Sequence, residues 1–137
     1  SDISETTTHE YVAGFTIVND ITARTEWPGA MAYKLMDTFC PCGPHVVTPE
    51  EVTDPHDLDV EIRQSGEKIC AGRTAGLRFT ISFMISYIST ILTLRPGDVI
   101  ATGDPGDVQD SLAVGETIEL EIEDIGVLKN PVRAAEK

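Results

Sequence analysis

The stretch VNDITAR, at positions 18–24, sets an acid and an arginine directly after an apolar segment. Ile17 and Val18 precede Asp20, and Ile21 follows it, so the carboxylate lies among side chains that favour burial. A buried carboxylate is costly without a partner of opposite charge, and a divalent cation is one such partner. The alternative interpretation is an Asn-Asp turn that closes a strand, in which the acid only caps the residues that follow.

Length and composition predict one modest domain with a core of its own. The chain has 137 residues, 41% of them hydrophobic, and a formal net charge of −13, which argues against general affinity for nucleic acid or an anionic membrane. Its three cysteines show no disulfide spacing and favour a reducing, cytoplasmic location. The longest apolar stretch, residues 79–94, contains serine, threonine and tyrosine and is too polar to span a bilayer.

Hydrophobic periodicity predicts many short strands and one real helix. Apolar residues recur at helical spacing over residues 79–92, with Thr80 as the expected N-cap. A second, shorter helix is expected from Ser4 towards Tyr11, and a functional loop over residues 25–43. Strands are predicted at 15–18, 46–47, 58–63, 68–71, 98–102, 117–123 and 125–128. The pattern indicates an α+β fold in which strands dominate.

Two further motifs accompany the first one: DTFCPCGP at positions 37–44 and PGDVIATG at positions 96–103. Together the three resemble the carboxy-terminal part of the fumarylacetoacetate hydrolase family, over residues 10–132. The resemblance implies the family's mixed β-roll with one main helix at about 79–92, commonly as a homodimer. It also implies that residues 1–137 are a single domain forming the C-terminal portion of a larger catalytic domain.

The resemblance also assigns candidate site residues. It makes Asp20 one of three carboxylates that bind Mg²⁺, or Mn²⁺ or Ca²⁺ in its place. Arg24 and Lys34 match basic residues of the family, which would hold a substrate carboxylate and offset charge developing on oxygen; considered alone, each is expected to be a solvated surface charge. The family's substrate-binding turn corresponds to Thr102, Gly103 and Asp104.

Family members cleave carbon–carbon bonds in diketo acids, decarboxylate oxo acids, or isomerise and hydrate related dienoates. The resemblance therefore implies a metal-dependent carbon–carbon bond hydrolase of the fumarylacetoacetate or acylpyruvate hydrolase type. Its substrates would be small diketo or oxo diacids of aromatic-compound catabolism. One alternative is an oxo-acid decarboxylase or isomerase of the same family. The other, from a different class, is a truncated, non-catalytic homologue that only binds a ligand or partner.

Three departures from the family pattern qualify this assignment. The family's Glu-x-Glu metal pair and lid histidine lie upstream of the first motif, and the nineteen residues before Asp20 contain no Glu-x-Glu. Asp104 stands where the family usually has threonine, so an anion replaces a hydroxyl beside the substrate. Trp27 stands where glutamine is usual. We therefore expect an altered substrate pocket, and a chain that is incomplete and cannot catalyse alone.

Two other clusters carry weaker hypotheses. Cys40, Cys42 and His45 could bind zinc, but their spacing matches no common structural site, and the resemblance explains this segment as a rigid loop. Glu119 lies on a predicted strand whose apolar residues alternate with acids, the pattern of a solvent-facing edge. Because some family members use an acid on this strand to orient a catalytic histidine, Glu119 remains a candidate.

Overall fold

The computed structural model describes residues 2–22, 34, 36–104 and 111–134. One α-helix lies in these ranges, α1 (Ile81–Ile91), together with 3-10 helices at Thr8–Tyr11, Pro49–Glu51 and Thr74–Gly76. The strands are β1 (Phe15–Val18), β2 (Cys42–Val47), β3 (Asp59–Gln64), β4 (Glu67–Arg73), β5 (Thr117–Ile122) and β6 (Gly126–Pro131). The prediction of a strand-dominated α+β fold with one main helix is confirmed.

The larger sheet has four antiparallel strands in the order β4-β3-β5-β6. In its register Val60 lies opposite Ile122, and Ile62 opposite Leu120. These apolar side chains share one face of the sheet because successive strand residues point to opposite sides. The acids and bases between them share the other face, as the alternation in the sequence predicts.

The smaller sheet pairs β1 with β2 and carries the centre of the core. Ile17 is only 1% exposed and packs in a cluster with Val47 and Leu128. The two strands approach closely beside Gly14, where an added Cβ would overlap the carbonyl oxygen of Val47. Gly14 thus brings the start of β1 against β2, while the burial of Ile17 holds the strand close to its end.

Helix α1 begins where the sequence predicts. The Thr80 side chain accepts a hydrogen bond from the Phe83 N–H (3.1 Å), which caps the first turn. Ser89, 1% exposed, accepts the Ile3 N–H (2.8 Å) and so holds the amino-terminal segment against the helix. Within the described ranges, no helix has both the length and the apolar character needed to cross a bilayer.

Three local predictions are corrected by the structure. Residues 98–102 do not form a strand: the Asp98 side chain accepts the Arg95 N–H (2.7 Å) in a turn, and the residues after it join no described sheet. The expected helix from Ser4 is a turn followed by a 3-10 helix. Strand β2 extends beyond the predicted residues 46–47 and begins at Cys42. The prediction was too short because Pro44 has no N–H to donate, and a proline normally argues against a strand.

Candidate functional site

An open cleft of about 2050 Å³ lies between the two sheets and α1. The apolar face of the larger sheet forms one wall through Ile62, Ile118 and Leu120. Polar residues line other parts of it, including Asp20 and Lys34. Small-molecule pockets usually measure about 300–1,000 Å³, so a small substrate would fill only a part of this space.

Asp20 follows β1 at this cleft and has a cationic partner from its own chain. The ammonium group of Lys34 pairs with Oδ2 of Asp20, and the two side chains are 45% and 52% exposed respectively. The expectation that burial makes this carboxylate need a positive partner is wrong, because the Asp20 side chain is about half exposed; the lysine pairs with a solvent-accessible acid. Two of the predicted site residues, fourteen positions apart, are therefore in direct contact.

Asn19 anchors the segment that carries Asp20. Its side chain is 8% exposed and donates from Nδ2 to Oδ1 of Asn130 on β6 (3.2 Å). Its backbone N–H donates to the carbonyl of Pro41 (3.0 Å), and its carbonyl accepts the Ile21 N–H (2.9 Å). These bonds fix the direction in which the chain leaves β1. Sequence reasoning assigned no ligand or anchoring role to Asn19, although this residue lies in the first of the three motifs.

Residues 102–104 line the same cleft. Gly103 has φ +110°, a conformation that glycine adopts at little cost, and an added Cβ would touch Leu77 Cδ2 at 3.6 Å. Burial raises the pKa of the Cys70 thiol on β4, and the charge of Asp104 raises it further. The predicted substrate-binding residues Thr102, Gly103 and Asp104 thus share one cleft with Asp20 and Lys34.

The described part of the chain does not complete a metal site. In residues 2–22, 34, 36–104 and 111–134, no group of three or more His, Cys, Asp or Glu residues could hold an ion. A carboxylate oxygen is the ligand type that Mg²⁺ and Mn²⁺ prefer, but Asp20 alone offers too few. The zinc hypothesis for Cys40, Cys42 and His45 receives no support either. Arg24 and Trp27 lie outside the described residues.

Glu119 lies on the charged face of the larger sheet, away from the cleft. Its carboxylate pairs with Lys129 (2.6 Å), while its neighbours Ile118 and Leu120 line the cleft on the other face. The strict alternation of β5 therefore directs this side chain away from the cleft that Asp20 lines. On the same charged face, Arg63 binds Glu121 (2.7 Å).

His56 has a structural partner that the sequence did not reveal. Its Nε2 accepts the Ile81 N–H (3.3 Å), the first donor of α1, so the imidazole satisfies one of the unpaired groups at the helix start. His56 also lies along the cleft wall. No local sequence pattern could have predicted this contact, because twenty-five positions separate the two residues.

Comparisons with known sequences agree with this architecture. The family described as "Fumarylacetoacetate (FAA) hydrolase C-terminal" matches residues 1–133. The 2,4-didehydro-3-deoxy-L-rhamnonate hydrolase of Sphingomonas sp. (strain SKA58) is 37% identical, over 95% of this chain and 50% of its own length. The 4-hydroxyphenylacetate degradation bifunctional isomerase/decarboxylase of Salmonella dublin is 40% identical, over 95% of this chain and 31% of its own.

A solved structure shares the fold. Maleylpyruvate hydrolase from Sphingobium sp. SYK-6, in complex with manganese(II) ion and pyruvate, superposes with a TM-score of 0.90 at 30% identity. The match covers 98% of this chain and 49% of that protein. The chain thus spans about half the length, or less, of these relatives.

Proposed function

Because the chain belongs to the fumarylacetoacetate hydrolase family, we propose that it forms the C-terminal catalytic portion of a metal-dependent carbon–carbon bond hydrolase. The substrates would be small diketo or oxo diacids of aromatic-compound catabolism. One observation carries the proposal: the pair of Asp20 and Lys34 shares an apolar-walled cleft with residues 102–104. The relatives include hydrolases, isomerases and decarboxylases, so this family of reactions is the appropriate one.

Lys34 would recognise the carboxylate of the substrate. In a chain of net charge −13, a small organic anion needs a local cation, and the Lys34 ammonium lies at the cleft. A lysine acts as a compact point charge that can exchange one carboxylate for another. The apolar side chains of Ile62 and Leu120 would contact the carbon chain of the substrate. Asp104 would disfavour a second carboxylate close to the turn.

Hydrolysis of a carbon–carbon bond adds hydroxide to the acyl carbon and a proton to the carbon that departs as an enolate. Negative charge develops on oxygen in both halves, and the Lys34 ammonium is one of the described cations at the cleft that could offset it. Asp20 would donate one carboxylate oxygen to Mg²⁺, Mn²⁺ or Ca²⁺. The other ligands would come from outside the described residues, so we assign no reaction step to the metal.

Two further properties belong to this proposal. Cys40, Cys42 and Cys70 are free thiols, which favours a reducing, cytoplasmic location. The protein would act as a homodimer, as the family resemblance implies. Residues 1–137 would form a single domain that is part of a longer catalytic domain, consistent with the share of the relatives that the chain covers.

The second candidate is a non-catalytic homologue that binds a ligand. One observation favours it: Asp20 is neutralised by Lys34, and no described group of three residues could hold an ion. The retention of an anion-recognising lysine in an apolar-walled cleft favours the enzyme instead.

The experiment is a product analysis on the longest polypeptide that the gene encodes. Acylpyruvates and oxaloacetate would be incubated with Mg²⁺ or Mn²⁺. Two acids indicate hydrolysis, released CO₂ indicates decarboxylation, and a rearranged product indicates isomerisation. We expect hydrolysis, with Lys34→Met lowering kcat/KM by about 10²–10³-fold, the usual loss of a group that stabilises developing oxyanion charge.

Lys129→Met, on the charged face of the sheet, is the matched control and should leave kcat/KM unchanged. Binding without turnover would support the non-catalytic homologue, and equal activity of both variants would refute the role of Lys34.

A further inference from the structure

The charged side chains of the described residues are divided unevenly between the cleft and the rest of the surface. Of the eight described lysines and arginines, half line the cleft: Lys34, Arg78, Arg95 and Arg133. Five described acids line it as well, so the opposite charges there nearly cancel. Elsewhere the described residues carry four bases against fourteen acids. A small anion is therefore repelled by most of this surface and least by the cleft.

The described bases outside the cleft are all used in ion pairs. Each pairs with at least one carboxylate of the larger sheet or of the loop before it: Arg63, Lys68, Arg73 and Lys129. In the cleft, Lys34 pairs with Asp20. The three arginines of the cleft have no carboxylate partner among the described residues, although acids outnumber bases there by nineteen to eight. A guanidinium without such a partner can bind the carboxylate of a ligand.

The fold holds Arg78 beside the cleft residues 102–104. Its neighbour Leu77 lies against Gly103, where an added Cβ would be 3.6 Å from Leu77 Cδ2. The Leu77 N–H donates to the carbonyl of Thr74 (3.0 Å), and Thr80 caps α1 two residues after Arg78. The backbone is therefore fixed on both sides of Arg78.

An aromatic ring supports the guanidinium of Arg78. Its central carbon lies over the Phe79 ring, 5.7 Å from the centroid, where the ring face attracts a cation. Arg78 is also the single charged residue between Arg73 and Arg95 in the sequence, so no acid of this segment competes for it. The planar fork of a guanidinium matches the two oxygens of a carboxylate. Arg78 thus presents a supported, unpaired fork at the cleft.

We propose that Arg78 binds the second carboxylate of a diacid substrate, at the far end from the carboxylate that Lys34 recognises. The inference rests on the proposed function, because it gives a partner to the other end of the same substrate. Asp104 repels an anion close to its own carboxylate, so the second carboxylate would lie nearer to the guanidinium than to Asp104. Arg78 would make the enzyme prefer diacids to acids with an uncharged tail.

Two substrates that differ in one charge test the inference on the longest polypeptide that the gene encodes. Succinylpyruvate carries a carboxylate at the end of its acyl chain, and its terminal amide has a similar shape without that charge. We expect kcat/KM of the unsubstituted protein to be at least 10-fold higher for the diacid. Arg78→Met should lower kcat/KM for the diacid by about 10–100-fold, the effect of losing hydrogen bonds to a charged group. The value for the amide should stay within about two-fold.

Three further variants separate this role from others. Arg78→Lys keeps the charge without the fork and should retain part of the preference for the diacid. Lys129→Met, on the charged face of the larger sheet, is the control and should leave the preference unchanged. Lys34→Met should lower kcat/KM for both substrates alike, because they share the end that Lys34 recognises. Arg78→Met should remain folded, since the Arg78 side chain is exposed.

The outcomes distinguish this inference from the proposed function. An equal preference for the diacid in the unsubstituted protein and in Arg78→Met, or no preference at all, would overturn the inference and leave the role of Lys34 intact. If neither compound is turned over, the proposed hydrolysis fails, and titration calorimetry with the same two compounds decides the inference. Tighter binding of the diacid that Arg78→Met abolishes would support it. Equal affinities, or no binding of either compound, would overturn it.

Discussion

The hydrogen bond between the Asn19 and Asn130 side chains can be tested for its contribution to the stability of the segment that carries Asp20. Asn19→Ala removes the donor of a 3.2 Å bond and leaves Oδ1 of Asn130 in a partly buried place without that partner. An unsatisfied buried polar group costs about 1–3 kcal/mol, whereas replacing both partners by apolar groups is close to neutral. We therefore expect Asn19→Ala and Asn130→Ala each to lower the free energy of unfolding by about 1–3 kcal/mol. The double variant should lose less than the sum, with a coupling energy of about 1 kcal/mol.

Urea unfolding followed by circular dichroism measures these values, provided that the slope of the free energy against urea concentration stays constant. Thr22→Ala is the control in the same segment, since its hydroxyl makes only a 3.4 Å contact with the Asp20 carbonyl. We expect that variant to change stability by no more than about 0.5 kcal/mol. Strictly additive costs for the two asparagines would refute the coupling, and with it the part of the anchoring that the Asn19 and Asn130 side chains provide.

The other predictions concern single groups. Cys40 and Cys42 are exposed, whereas burial and the nearby Asp104 raise the pKa of Cys70. At mildly alkaline pH, a disulfide reagent should therefore modify the first two thiols quickly and the third slowly, since the thiolate is the reactive form; equal rates would contradict this. Asp124 accepts the Thr53 N–H (2.9 Å), which holds its pKa below the ordinary value of 3.8. Its contribution to stability is present above that value and disappears as the pH falls through the lowered pKa. The stability difference between the unsubstituted chain and Asp124→Asn should accordingly vanish in acid, and a difference that persists there would refute it.

Local pattern was sufficient for most of the fold. Alternation along β3 and β5 predicted both the strands and the face that each side chain takes, because a half-buried strand must alternate. Helix α1 was predicted from apolar spacing and the Thr80 cap. The extent of β2 was missed because it contains Pro44, and residues 98–102 were given a strand because β propensity depends on a neighbouring strand that the sequence does not specify.

The candidate site was predictable only as separate residues. Asp20 and Lys34 were each chosen from motifs, but their contact depends on how the chain returns to the end of β1. The anchoring of Asn19 by Asn130 joins positions 111 apart, so no local pattern could indicate it. The role of Glu119 was considered because some family members use an acid on this strand to orient a histidine, and the register places its face of the sheet away from the cleft.

Titration calorimetry with Mn²⁺ tests the central claim most directly, because the proposed site depends on the Asp20 carboxylate. The longest polypeptide that the gene encodes would be compared with its Asp20→Ala variant, with circular dichroism to confirm that both are folded. We predict a saturable heat of binding for the unsubstituted protein and its loss in Asp20→Ala. Equal Mn²⁺ affinity in the two proteins would contradict the assignment of Asp20 as a metal ligand.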